Sequence, residues 1–297
     1  MDFSVTSIDA TTRRGVWEGA HGNRIAWEAF DAESTLSIVF AHGGGQTGRA
    51  WRLAARRVQA AGFAALTFDK RGHGASDWIE NGDYRLESFS QDLNHVVRAW
   101  GRPCVIVGAS LGGLSALITA AAGLPEVRGI VAIDTAPELN ATEIYRLIEF
   151  LSGAEEGFPS VEAAVGHLQQ YFPARVVSVA SMQANLTRMP NGFWRLPWDV
   201  RVVTGELNSV ALPHEKMLYD CARRVAVPYL LVRAGDSNLV SDGAVQRLRA
   251  CVSHLEVVTL PDADHLIGGE DGVRVMDMIR PFLDRISVGI ACALEIG

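Results

Sequence analysis

Short apolar runs alternate along the chain with longer stretches whose apolar positions return at helical spacing. A strand buried on both faces reads as a continuous apolar run, and a helix lying on a sheet reads as an amphipathic stretch. The alternation therefore predicts a mainly parallel sheet covered by helices. Gly15 to Phe30 reads as an antiparallel pair turning near His21–Gly22–Asn23. Leu36 to Ala41 is a buried strand that runs into His42–Gly43–Gly44–Gly45, followed by a helix over Arg49 to Ala61 and a strand over Phe63 to Phe68. Leu86 to Trp100 reads as a helix, Cys104 to Val107 as a strand, and Val127 to Ile133 as another. Between those last two, Ser110 to Ala122 is apolar or small on every side, the pattern of a helix buried all round.

The rhythm then breaks. From Pro137 to Val225 the pattern is helical, punctuated by Gly157–Phe158–Pro159 and Met189–Pro190–Asn191–Gly192. It resumes with strands over Tyr229 to Arg233 and Leu255 to Leu260, and helices over Ser241 to Cys251 and Asp271 to Arg285. The expected α/β architecture is thus an eight-stranded, mostly parallel sheet flanked by helices. Residues 1–136 and 226–297 form its core, and residues 137–225 form a helical cap. An insert of about 90 residues far exceeds the ~2–6 usual for a connection, so a lid is expected rather than a loop.

Composition narrows the class. The 297 residues are 48% hydrophobic and 21% charged, an ordinary globular balance. The formal net charge is -7, and the 27 basic residues are scattered, so no nucleic-acid surface is expected. Only Lys70 and Lys216 among those basic residues are lysines. Cys104, Cys221, Cys251 and Cys292 lie far apart, which suggests neither a zinc site nor a disulfide framework and makes a reduced cytoplasmic protein the expectation. The start, MDFSVTSIDATTRR, lacks a secretory pattern, and the apolar stretch Ile286 to Ile296 is too short to span a bilayer. A packed or frayed tail is expected there, with no membrane partner.

The candidate chemistry begins at Gly108–Ala109–Ser110–Leu111–Gly112, a G-x-S-x-G pentapeptide set between a strand and a helix. A serine on so sharp a turn is held in a strained backbone, and neighbours two positions away must be minimal to avoid collision. The turn presents the Ser110 hydroxyl, and the Leu111 amide at the helix start can face a developing oxyanion. A hydroxyl at neutral pH needs a base. His265, in Leu260–Pro261–Asp262–Ala263–Asp264–His265, follows the last strand at the same carboxyl edge of the sheet, where open α/β sheets place their sites. His42 and His73 flank glycine turns and are expected to hold loops. His95 falls on a surface helix, His21 and His254 on exposed turns, and His167 and His214 in the insert.

With these residues in view, the chain resembles the α/β-hydrolase superfamily, in the branch with a helical cap after the sixth strand. The resemblance rests on Phe40–Ala41–His42–Gly43–Gly44–Gly45–Gln46–Thr47, Phe68–Asp69–Lys70–Arg71–Gly72–His73–Gly74–Ala75–Ser76, the Ser110 turn and Ala263–Asp264–His265, in family order. It implies a nucleophile, acid, histidine order with Ser110 and His265 as outer members, and a second oxyanion amide from Gly44. It also implies that Arg71 and His73 belong to a structural turn. The family's usual acid position, after the strand Tyr229 to Arg233, carries Ser237 or Asn238, with Asp236 one step away. The other family location, used by several capped branches, carries Asp134 in Ile133–Asp134–Thr135. Asp134 is the favoured acid and Asp236 its rival, because the acid has only to accept the second imidazole N–H.

A serine nucleophile suits attack on a carbonyl rather than displacement at carbon. The expected activity is a cofactor-independent serine hydrolase acting on a small, partly hydrophobic ester or lactone through an acyl-enzyme. A cofactor-free dioxygenase or C–C bond hydrolase, or a hydrolase-like ligand receptor, remains open. Neither a metal constellation nor a nucleotide fingerprint is present, and the expected partner is a small-molecule substrate of a monomer or homodimer. The insert carries many aromatics. Trp194 and Trp198, which share a face if their stretch is helical, and Tyr171 are the candidate substrate-binding residues.

Overall fold

The computed structural model describes residues 5–206 and 214–296, with side chains to residue 292. Residues 1–4 of the start, 207–213 of the expected cap and the last side chains of the tail lie outside the described residues. The chain opens with β1 (Thr6–Asp9), β2 (Thr12–Glu18) and β3 (Arg24–Phe30), paired antiparallel. β4 (Ser37–Ala41), α1 (Arg52–Ala60), β5 (Ala64–Phe68), α2 (Leu86–Trp100), β6 (Cys104–Ala109), α3 (Leu111–Ala121) and β7 (Val127–Ile133) follow. The insert holds α4 (Ala141–Ser152), α5 (Val161–Tyr171), α6 (Val179–Gln183), the hairpin β8 (Thr187–Arg188) and β9 (Trp194–Arg195), α7 (Arg201–Thr204) and α8 (Glu215–Ala222). The chain closes with β10 (Tyr229–Ala234), α9 (Asp242–Cys251), β11 (Leu255–Leu260) and α10 (Glu270–Ile296).

The main sheet runs β1-β2-β3-β5-β4-β6-β7-β10-β11, parallel from β5 onward. Period-two alternation splits each central strand between two cores. Val39 of β4 and Ile106 of β6 pack under α2 and α3, while Ile38, Phe40, Val105 and Val107 pack under α1 and α10 with Trp51 and Phe282. Both faces are covered, which is why these strands read as unbroken apolar runs. From β4 the chain crosses to β5 on one side, and β6 then lies on the other. The loops leaving β4 and β6 therefore diverge and open a crevice at the carboxyl edge, the switch point at which such sheets bind ligands.

Four expectations are corrected. The sheet has nine strands, because β1 adds an exposed edge strand with no burial pattern to announce it. The last helix continues through the apolar tail to Ile296, so the tail is an extension of α10, with Ile286 and Ile290 against the core and Val288 exposed. The insert is not helical throughout, since β8 and β9 form a short hairpin. Nor is it all cap: Leu218, Cys221 and Ala222 of α8 are buried in the core that includes Leu117 of α3. The cap proper has its own small core of Phe150, Phe158, Leu168 and Met182.

Candidate active site

Among the described residues, three that are not glycine have positive φ: Ser110 at 48°, Asp134 at 47° and Asp262 at 47°. All three lie just past carboxyl ends of strands, at β6, β7 and β11. Residues held in that sparsely allowed region cluster at functional sites because the surrounding fold must enforce them. At Ser110 the enforcement is visible in the flanking glycines. A Cβ on Gly112 would lie 2.0 Å from the Ala41 carbonyl oxygen, and one on Gly108 would lie 2.4 Å from the Gly112 carbonyl carbon. The turn closes tightly enough that no larger side chain fits at either place.

Asp134 is 1% exposed and held from two sides. Its amide donates to Val232 at 2.7 Å, and its Oδ1 accepts the Ala234 amide at 3.2 Å. That leaves Oδ2 for His265, whose Nδ1 donates to it at 2.8 Å. An imidazole so engaged turns Nε2 to the other side, available as a base. Asp236 takes no part: its side chain is exposed at the rim of a neighbouring cavity, while its amide bonds to Ala263. Of the two aspartates, Asp134 is the one in contact with His265. Asp264, next to the histidine, pairs instead with Arg175 of the cap at 2.6 Å.

Ser110 and His265 line one pocket of about 70 Å³, together with Gly44 and Leu111. Two amides without an acceptor among the described residues border it. Leu111 begins α3, where the first amides have no intrahelical acceptor. Gly44 is singled out by its neighbours: the Gly43 amide donates to Gln46 Oε1 at 3.0 Å and the Gly45 amide to His73 Nε2 at 3.2 Å. The Gly44 amide has no acceptor among the described residues.

His42 and His73 hold this loop, as expected. His42 Nε2 accepts the Lys70 amide, which leaves its Nδ1–H to donate to the Gly43 carbonyl at 2.7 Å. His73 donates from Nδ1 to the Arg71 carbonyl, which leaves Nε2 as acceptor for Gly45. Burial keeps both rings neutral by lowering their pKa, that of His73 to about 4. Arg71 is fully buried in an ion pair with Asp92 at 2.6 Å and lines no pocket of the site.

The aromatic candidates divide. Tyr171 lines a larger cavity of about 1010 Å³, bordered also by His265. Trp194 lies in β9 with Arg188 over its ring, packed into the cap's own core. Trp198 is buried and stacked on His73, its indole beside Gly45, where it backs the loop rather than facing the pocket. The helical spacing assumed for the pair fails because Pro197 and the hairpin interrupt it. Gln46 and Arg175 were missed from the sequence, since single polar residues in loops carry no periodic signal. Among the described residues, no group of three His, Cys, Asp or Glu is placed to hold a metal ion. No described helix is long and apolar enough to cross a membrane.

The sequence matches the profile described as the alpha/beta hydrolase family over residues 38–277. An esterase of Mycobacterium tuberculosis is 29% identical over 262 residues, covering 84% of this chain and 84% of that protein. A 2-(acetamidomethylene)succinate hydrolase of Mesorhizobium japonicum is 27% identical over 226 residues, covering 75% of this chain and 79% of its own. Among solved structures, E-2-(acetamidomethylene)succinate hydrolase superposes with a TM-score of 0.75 at 22% identity, over 95% of this chain and 98% of that one.

Proposed function

Because the chain belongs to the alpha/beta hydrolase family, we propose that it cleaves a carboxylic ester or lactone through an acyl-enzyme on Ser110. The observation that carries this reading is the coincidence of a strained serine, an Asp134-oriented imidazole and two unpaired amides around one small pocket. Ser110 Oγ attacks the carbonyl carbon while His265 Nε2 takes its proton. Asp134 steadies the resulting imidazolium, and the amides of Gly44 and Leu111 hold the oxyanion. Collapse breaks the bond from carbonyl carbon to leaving oxygen, which takes the proton from His265. Water, deprotonated by the same imidazole, then attacks the acyl-enzyme and regenerates Ser110. The relative named as an esterase supports the ester as substrate class.

The test is Ser110→Ala. The variant should lose turnover of p-nitrophenyl acetate and labelling by a fluorophosphonate, with an unchanged thermal unfolding transition. Hydrolysis at the wild-type rate in the folded variant would refute the reading.

A further inference from the structure

Two chambers adjoin at His265, and they differ in both size and lining. The pocket that contains Ser110 has a volume of about 70 Å³, whereas the neighbouring cavity has about 1010 Å³. Among the described residues, two line both: His265 and Leu147. Imidazole and isobutyl group together form the partition.

The walls of the small chamber come from one stripe of one cap helix. Ile144, Leu147, Ile148 and Leu151 fall on a single face of α4, and Val202 and Val203 of α7 close the far side. Apart from Ser110 and His265, the polar side chain in the lining is Gln46, and both its ends are engaged. Its Oε1 accepts the Gly43 amide, and its Nε2 donates to the Ile267 carbonyl at 3.1 Å. Nothing polar is left over for a substrate tail. The large cavity is mixed: Arg146, Ser178, Ser181 and Asn238 border it beside the carboxylates of Asp236 and Glu270 and apolar residues such as Phe172 and Val176.

Chemistry assigns the two halves of an ester to the two chambers. The carbonyl must sit where Ser110, Gly44 and Leu111 converge, so the acyl group is enclosed in the small chamber. The leaving oxygen takes its proton from His265, so the leaving group must stand on the histidine side, which opens to the large cavity. A cavity needs about 10–15 Å³ of accessible space to hold one water, so a chamber of about 70 Å³ has room for roughly five heavy atoms.

Resting on the serine-hydrolase reading, we infer that this protein selects esters of short aliphatic acids, of about two to four carbons, and that Leu147 sets the limit. The leaving group is the larger, more polar half and is accepted in the outer cavity.

The experiment measures kcat/KM for p-nitrophenyl acetate, butyrate and octanoate with the full chain, its Leu147→Ala and Ile144→Ala variants, and a thermal melt of each. The wild type should hydrolyse butyrate at least about tenfold better than octanoate, the scale on which a closed apolar pocket discriminates chain length. Opening the partition in Leu147→Ala should shrink that preference about tenfold, and Ile144→Ala should do so to a smaller degree, in variants whose melts show them folded. A wild type that takes octanoate as well as butyrate overturns the inference, as does a preference unmoved in whichever variants fold. Failure of the underlying reading looks different: no labelling of Ser110 and no turnover at any chain length, which sinks both.

Discussion

Asp134 illustrates how much a single residue depends on its surroundings. Its positive φ costs on the order of 1–3 kcal/mol for a residue with a Cβ, and the fold enforces it through the Val232 carbonyl and the Ala234 amide. The outcome is a carboxylate whose free oxygen is aimed at His265. Asp134→Asn should lower single-turnover acylation by several orders of magnitude, because an amide in that place favours the wrong imidazole tautomer. Asp236→Asn, at an exposed position on the cavity rim, should leave the rate within about twofold, as surface substitutions usually do. Comparable losses in both variants would refute the assignment. Ser110 and His265 were legible because each sits in a motif at a strand end. The choice between the two aspartates was legible only as a preference for Asp134 that came with the resemblance, since both follow strands that end at the same edge and only the third dimension tells which side chain reaches the ring.

Among the elements, the turn from β6 into α3 carries the tightest local constraint. Gly112→Ala places a Cβ 2.0 Å from a backbone carbonyl oxygen, an atom that cannot swing aside. It should destabilise the fold by about 3 kcal/mol or more, at the upper end of single-substitution effects, and a lowered urea midpoint would show it. Gly289, whose Cβ would meet nothing within 4 Å, should tolerate alanine. A melt unchanged by Gly112→Ala would mean the turn is looser than described. The elements read correctly from the pattern are those with a strong period, such as the central strands and α2. Those misread are short or two-sided: β1, with its four exposed residues, and the hairpin of β8 and β9, too brief to show alternation. Trp194 and Trp198 were misplaced for the same reason, since helical spacing was assumed where the chain is extended.

Over the whole molecule, the cap is fastened at one end. The Tyr84 hydroxyl donates to Asp199 Oδ2 at 2.7 Å, Arg201 donates to the carbonyls of Ile79 and Glu80, and the Gly74 amide donates to the Pro197 carbonyl. These bonds fix Val202 and Val203 over the Ser110 pocket. The buried Lys70, whose ammonium donates to the His42 carbonyl and has burial as its one pKa influence, is lowered to about 7. In the unfolded chain it titrates near 10.5. Between those values the unfolded state binds more protons, so stability rises with pH. The Cys104 thiol, which burial pushes up to about 12 from 9.0, works against this above pH 9. The urea midpoint should therefore climb between about pH 7 and 9, and Lys70→Met should flatten the climb. An identical slope in that variant would show that the ammonium is not what titrates.

The sequence alone determined the class of the fold, the strand–turn–helix that presents Ser110, and the loop that brings His265 to the same edge. Each follows from local rules: burial period, the steric demands of a tight turn, and the parallel sheet's habit of gathering loops at one side. Only the tertiary structure decided which aspartate meets the histidine, that part of the insert belongs to the core, and that Leu147 and His265 border both chambers. Those are contacts between segments far apart in the chain, and they depend on packing in three dimensions that no local pattern encodes.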